Sequence, residues 1–155
     1  MARARKIPGV NAKATFAEAA ASAIEVRSQE VFSFADGVLD TTDPERVHDM
    51  RVATRRLRAA LEIFAVCFPK AEHKALLREV KRLADVLGAR RDPDVQILAL
   101  EELKAELGNG ESAGLNRLLA RLHERQADGN EKLRDAIEHA RVSELEKRLA
   151  ALARS

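Results

Sequence analysis

The chain has 155 residues, 46% hydrophobic and 34% charged, enough for one domain with a sizeable core and too few for two ordinary domains. It has no Trp, no Tyr and five Phe, too few rings for a typical sheet or for a platform that stacks single-stranded bases. The net charge of +2 conceals segregation: +4 over 1–13, −6 over 14–45, +7 over 46–91, −5 over 92–111 and +2 over 112–155.

Abundant Ala, Leu, Glu and Arg against four Pro and seven Gly predict an all-α fold. The single cysteine, Cys67, excludes an internal disulfide and a Cys-rich zinc site. No apolar run follows the basic start (Met1 to Lys6), so no secretory signal is expected. No stretch reaches the roughly 18 consecutive apolar residues of a membrane span. A cytoplasmic location is the expectation.

A basic tail over 1–13 precedes a helical domain over 14–155. Phe16, Ala20, Ile24, Val31, Phe34 and Val38 are spaced for the apolar face of a first helix over 14–39. Asp43 as N-cap and Pro44 at the first helical position start a second helix, which runs to about Val66. The third spans Lys70 to Leu87 with Gly88 as its C-terminal cap, and Asp92-Pro93 opens a fourth that reaches Leu107. After a turn at Gly108-Asn109-Gly110, Ser112 caps a fifth helix to about His139. A capping box of Ser143 and Glu146 starts a short last helix. The predicted architecture is an antiparallel helical bundle of five to six helices with short connections.

Helical geometry gathers the cations into stripes. At 100° per residue, His48, Arg51, Arg55 and Arg58 occupy an arc of about 80° bordering the core face of Met50, Leu57 and Leu61, while Arg56 falls on another side. On the third helix Lys70, Lys74, Arg78 and Lys81 do the same beside Leu76, Val80 and Leu83. On the fifth, Arg117, Arg121 and Arg125 follow at four-residue intervals, with Lys132 near the same line. Like charges at this spacing destabilise a helix by a few tenths of a kcal/mol per pair, so three such stripes invite an anionic partner. Most of these cations are Arg, which forks onto phosphate oxygens. The alternative is that Glu62, Glu124 and Asp128 neutralise the stripes as ordinary surface pairs.

His48, His73, His123 and His139 lack metal-binding spacing, so no metal and no cofactor are expected. Asp92 reads as an N-cap that also orients Arg91, and Asp94 as a first-turn acid favoured by the helix dipole. Cys67 reads as core. The acidic residues are scattered and no P-loop is present, so catalysis is not expected.

Two stretches are more specific. His48-Asp49-Met50-Arg51-Val52-Ala53-Thr54-Arg55-Arg56-Leu57-Arg58-Ala59 resembles the signature helix of the CHAD family, the conserved histidine α-helical domain. Leu87-Gly88-Ala89-Arg90-Arg91-Asp92-Pro93-Asp94-Val95 resembles its second hallmark. The resemblance covers 14–150 and implies a helical module that binds inorganic polyphosphate through a basic groove, with targeting to polyphosphate granules as a further implication. By position in these motifs, His48, Arg51, Arg55, Arg56 and Arg58 carry over as phosphate ligands, with Lys81 and Arg91 from the second region. Lys74, Arg78, Arg117, Arg121 and Arg125 rest on the stripe geometry. His48 either touches ligand or orients an Arg. Typical members carry two related bundles facing one another across the channel, and this chain supplies one bundle's worth. A homodimer is therefore expected, with a two-fold axis setting two stripes opposite one another. Two other classes remain open: a nucleic-acid-binding helical protein using the same stripes, and a helical adaptor with no anion ligand.

Overall fold

The computed structural model describes residues 3–108 and 112–155. They form α1 (Phe16–Ser33), α2 (Pro44–Ile63), a 3-10 turn (Ala65–Cys67), α3 (Lys70–Leu107), α4 (Ser112–Val142) and α5 (Leu145–Ala153). No strand occurs among the described residues, and the all-α bundle is as expected. No described helix is long and apolar enough to cross a membrane.

Thr15 and Glu18 cap α1 reciprocally: the Glu18 amide donates to Thr15 Oγ1 at 3.2 Å and the Thr15 amide to Glu18 Oε2 at 2.8 Å. The helix ends at Ser33, short of the expected 39. Gly37 sits at a φ of +77°, which the α-helix does not admit, and Arg46 Nη1 donates to the Asp36 carbonyl at 3.0 Å to hold the loop. Val38 is still fully buried, delivered to the core by the loop. The tail is not free of the domain: Ile7 packs on the core and Arg27 Nη2 donates to the Arg5 carbonyl at 3.1 Å.

Pro44 takes the first helical position of α2 as expected, but the Asp43 side chain caps nothing. The loop is fixed by Asp40, whose carboxylate accepts from the Thr42 amide at 2.9 Å and the Thr42 hydroxyl at 2.7 Å. α2 stops at Ile63 and the 3-10 turn follows, where Cys67 is half-buried. The buried His73 ring donates from Nε2 to the Leu61 carbonyl at 2.7 Å, which fastens the end of α2 to α3.

The expected third and fourth helices are one helix of 38 residues, about 57 Å long. Gly88 is not a C-cap, since it lacks the positive φ of a helix terminus. The Arg51 side chain lies over it, with Nε 4.0 Å from where a Cβ would stand, an ordinary contact. Pro93 removes an N–H from the Ala89 carbonyl and ordinarily kinks or breaks a helix. Here α4 packs directly over that turn: a Cβ on Gly129 would lie 3.3 Å from Arg90 Cα and 3.6 Å from the Ala89 carbonyl oxygen. An ion pair between Arg90 and Asp94 also spans the proline. Asp92 and Asp94 are therefore mid-helix residues, neither a cap nor a first-turn acid.

The expected turn at Gly108-Asn109-Gly110 lies outside the described residues apart from Gly108, at a φ of +67°. α4 runs to Val142, past His139. The capping box of Ser143 and Glu146 is not formed: Glu144 is the N-cap residue of α5 at a φ of +52°, and Ser143 donates to Glu79 Oε2 at 3.3 Å.

Ile24 and Val31 of α1, Leu57 and Leu61 of α2, Leu76 and Leu87 of α3, Leu133 of α4 and Leu149 of α5 meet in one core. α3 and α4 run antiparallel, with Arg90 Nε donating to Asn130 Oδ1 at 3.1 Å and Gln126 Nε2 to Asp94 Oδ1 at 2.6 Å. α2 begins beside Arg91, whose Nη1 donates to the Pro44 carbonyl at 3.1 Å. Beyond that level α3 and α4 continue as a two-helix arm, held by the small cluster of Ile97, Leu119 and Leu122 with Leu100 against it.

Candidate functional site

α2 and α3 pack antiparallel and turn their cationic stripes to the same side. Arg51 lies over Gly88, and Arg58 and Lys81 converge from the two helices on Glu62. Arg58 Nε is 3.1 Å from Glu62 Oε1, and so is Lys81 Nζ. Arg55 stands exposed one turn from Arg51, and Lys74 shares the helical line of Lys81, with Arg78 beside it. Among the described residues, Arg51, Arg55, Lys74 and Arg78 have no ion-pair partner within 4.0 Å. His48 is half-buried at the far end of the α2 stripe. The face so formed is a shallow cationic surface carrying one engaged carboxylate.

The carboxylate is the neutralisation foreseen as the alternative, and it is partial. Hydrogen bonds from Lys81 and then from Arg58 hold the Glu62 carboxyl below its ordinary range, so it stays ionised. It occupies two of the six cations and positions their side chains. Replacing it by Gln removes a competing anion from the face and keeps the shape. E62Q is expected to tighten binding of a polyanion here by a factor of about 3 to 10, the scale of roughly 1 kcal/mol set by partly exposed charges. Weaker binding in a titration would mean that the bridge is required to hold Arg58 and Lys81 in place.

Other expected site residues lie elsewhere. Arg91 is a fastener, donating to the Pro44 carbonyl and lying 3.8 Å from Glu45. Arg56 is on the flank of α2, where it lines a shallow dip together with Arg55, Val52 and Ala59. Arg117, Arg121 and Arg125 are all exposed, but on the arm. The register set by Asp94 with Gln126 places them alongside α3 beyond Asp94, about 10 to 25 Å further along that helix than Gly88 and Arg51. They do not join α2 and α3 in one groove. Asp128, named as a neutraliser, pairs with Lys132 at 2.8 Å.

The buried cluster of Arg90, Asp94, Gln126 and Asn130 was not foreseen as a unit. Arg90 is fully buried, bonded to Asp94 and Asn130, and Asn130 Nδ2 donates to the Leu39 carbonyl at 3.0 Å. The cluster ties α3, α4 and the loop before α2 together at the level where the cationic face begins. The four-residue spacing of Arg90 and Asp94 was the available signal. Arg148 is a second unforeseen clamp, 2.8 Å from Glu79 and 3.5 Å from Glu72, so that its guanidinium is held charged above even its usual range.

Fold and face together define an all-helical chain with a cationic surface shared by two antiparallel helices. The chain belongs to the CHAD domain family, which it matches over residues 22–155. That family is known as a polyphosphate-binding module. No curated protein and no solved structure matches the chain.

Proposed function

We propose that the chain binds inorganic polyphosphate along the face of α2 and α3, with Arg51, Arg55, Arg58, Lys74, Arg78 and Lys81 as its phosphate contacts and His48 at one end. The observation that carries the reading is the convergence of two like-charged stripes, from different helices, on one side of the fold, where Glu62 bridges Arg58 and Lys81. Successive cations on each stripe are about 4.5 to 6 Å apart along the helix, so a flexible chain of phosphates meets several at once. Guanidinium groups meet phosphate oxygens in pairs and hold the chain without chemical change. In this reading the protein is a receptor and not a hydrolase, and its place is at polyphosphate granules.

The mechanism is displacement of counterions, so affinity is expected to fall steeply and linearly on a log–log plot as salt rises from about 50 to 200 mM. A flat salt response in the same titration would remove the electrostatic mechanism. Competition at fixed salt between polyphosphate, duplex DNA and RNA tests the ligand class: polyphosphate is expected to displace both nucleic acids, and the reverse order would make this a nucleic-acid surface. An adaptor role predicts no phosphate affinity at any salt concentration.

A further inference from the structure

Past the level of Arg91 the arm has two helices and no third layer among the described residues, so each helix buries only the stripe that faces the other. Leu100, Leu103 and Leu107 recur at intervals of three and four residues and so share one side of α3, and Leu118 joins them from α4. Leu103, Leu107 and Leu118 are 39%, 47% and 45% exposed, and together they make a strip along one face of the arm. The opposite face, with Leu98, borders the loop before α2 and forms a cleft with Thr41, Thr42 and Pro44. The leucine strip has no such neighbour among the described residues.

The charges beside the strip indicate its occupant. On α3 the arm carries Asp92, Glu101, Glu102 and Glu106 against Lys104, and on α4 it carries Arg117, Arg121 and Arg125 against Glu124. All are exposed, and none has an ion-pair partner among the described residues. Acid on one helix and base on its antiparallel neighbour is a self-complementary pattern.

We infer that the arm is a self-association surface, and that its partner is a second copy of this chain. A two-fold axis along the arm lays strip on strip and sets α3 of each copy against α4 of the other. The result is a four-helix bundle in which adjacent helices are antiparallel. The register of α3 on α4 then brings Arg117 level with Leu103, within one turn of Glu106, and Arg125 level with Val95, within one turn of Asp92, across the axis. The arginines of α4 serve assembly in this arrangement. The inference does not depend on the polyphosphate reading.

The test is the mass of the full chain in solution, by sedimentation velocity over a concentration series with no polyphosphate added. The wild-type chain is expected to reach twice the monomer mass. L103E with L118E, R117E with R125E, and D92R with E106R are each expected to sediment as monomers with unchanged helical circular dichroism. Mixing the two charge-reversed proteins is expected to restore the doubled mass, which variants that had merely misfolded would not do. A wild-type monomer throughout the series, a dimer that survives all three variants, or a mixture that stays monomeric would each overturn the inference. Loss of polyphosphate binding leaves these masses unaffected, so the two proposals fail separately.

Discussion

Replacing Arg51, Arg55 and Arg58 together by Ala is expected to weaken polyphosphate binding a hundredfold or more. Each charge-assisted contact to phosphate contributes about 1.5–3 kcal/mol, and even with poor additivity three of them exceed the roughly 2.7 kcal/mol of a hundredfold change. The fold is expected to survive, because these side chains border the core and the buried Met50, Leu57 and Leu61 are untouched. Ala is also the best helix former, and the substitution relieves like-charge crowding on α2. The control must remove equal charge from positions that hold nothing together. Arg27 and Arg148 look like plain surface cations in the sequence, yet Arg27 joins Glu30 to the Arg5 carbonyl and Arg148 clamps Glu79. Arg134, Arg141 and Lys147 are exposed and make the better set, since the pairs of Arg141 with Glu138 and of Lys147 with Glu144 are exposed, three residues apart, and join no two helices of the core. If both triple variants lose affinity equally in a calorimetric titration, net charge alone is at work and the face has no special role.

Replacing Arg90 by Met is expected to cost about 3–5 kcal/mol of stability, because it leaves the buried Asp94 carboxylate without its cation. Asp94 is 5% exposed and retains only Gln126. A loss of that size is a large part of the roughly 5–15 kcal/mol that holds a domain folded. Changing both partners, R90M with D94L, removes two buried charges at once and is expected to recover most of the loss. Urea unfolding of the two proteins checks the difference. A cost below about 1 kcal/mol for the single change, the level of an exposed pair, would show that the cluster is not the fastening that holds α3, α4 and the loop before α2 together.

The α2 stripe was legible because residues at helical spacing on a well-delimited helix fix a direction without any tertiary information. The same arithmetic placed Lys81 on the matching side of α3. It failed where local punctuation met tertiary packing. Gly88 and Asp92-Pro93 read as a stop and a new start, but Gly129 lets α4 close over the turn of Pro93, and the helix continues. Spacing also yields a face and not a level along the bundle. Arg117, Arg121 and Arg125 are a true stripe, and only the antiparallel register shows that it stands on the arm, beyond the start of α2. At the last helix, Ser143 had the spacing of a capping box but turned to Glu79 instead. Thr15 and Glu18 have the same spacing, and there the reciprocal cap does form.

The most direct measurement is a crystal structure of the chain grown with polyphosphate. The account predicts a run of phosphate density along the face of α2 and α3, within hydrogen-bond distance of Arg51, Arg55, Arg58 and Lys81, with Glu62 turned away from the ligand or displaced from Lys81. Density confined to Arg117, Arg121 and Arg125 on the arm, with the α2–α3 face bare, would contradict it.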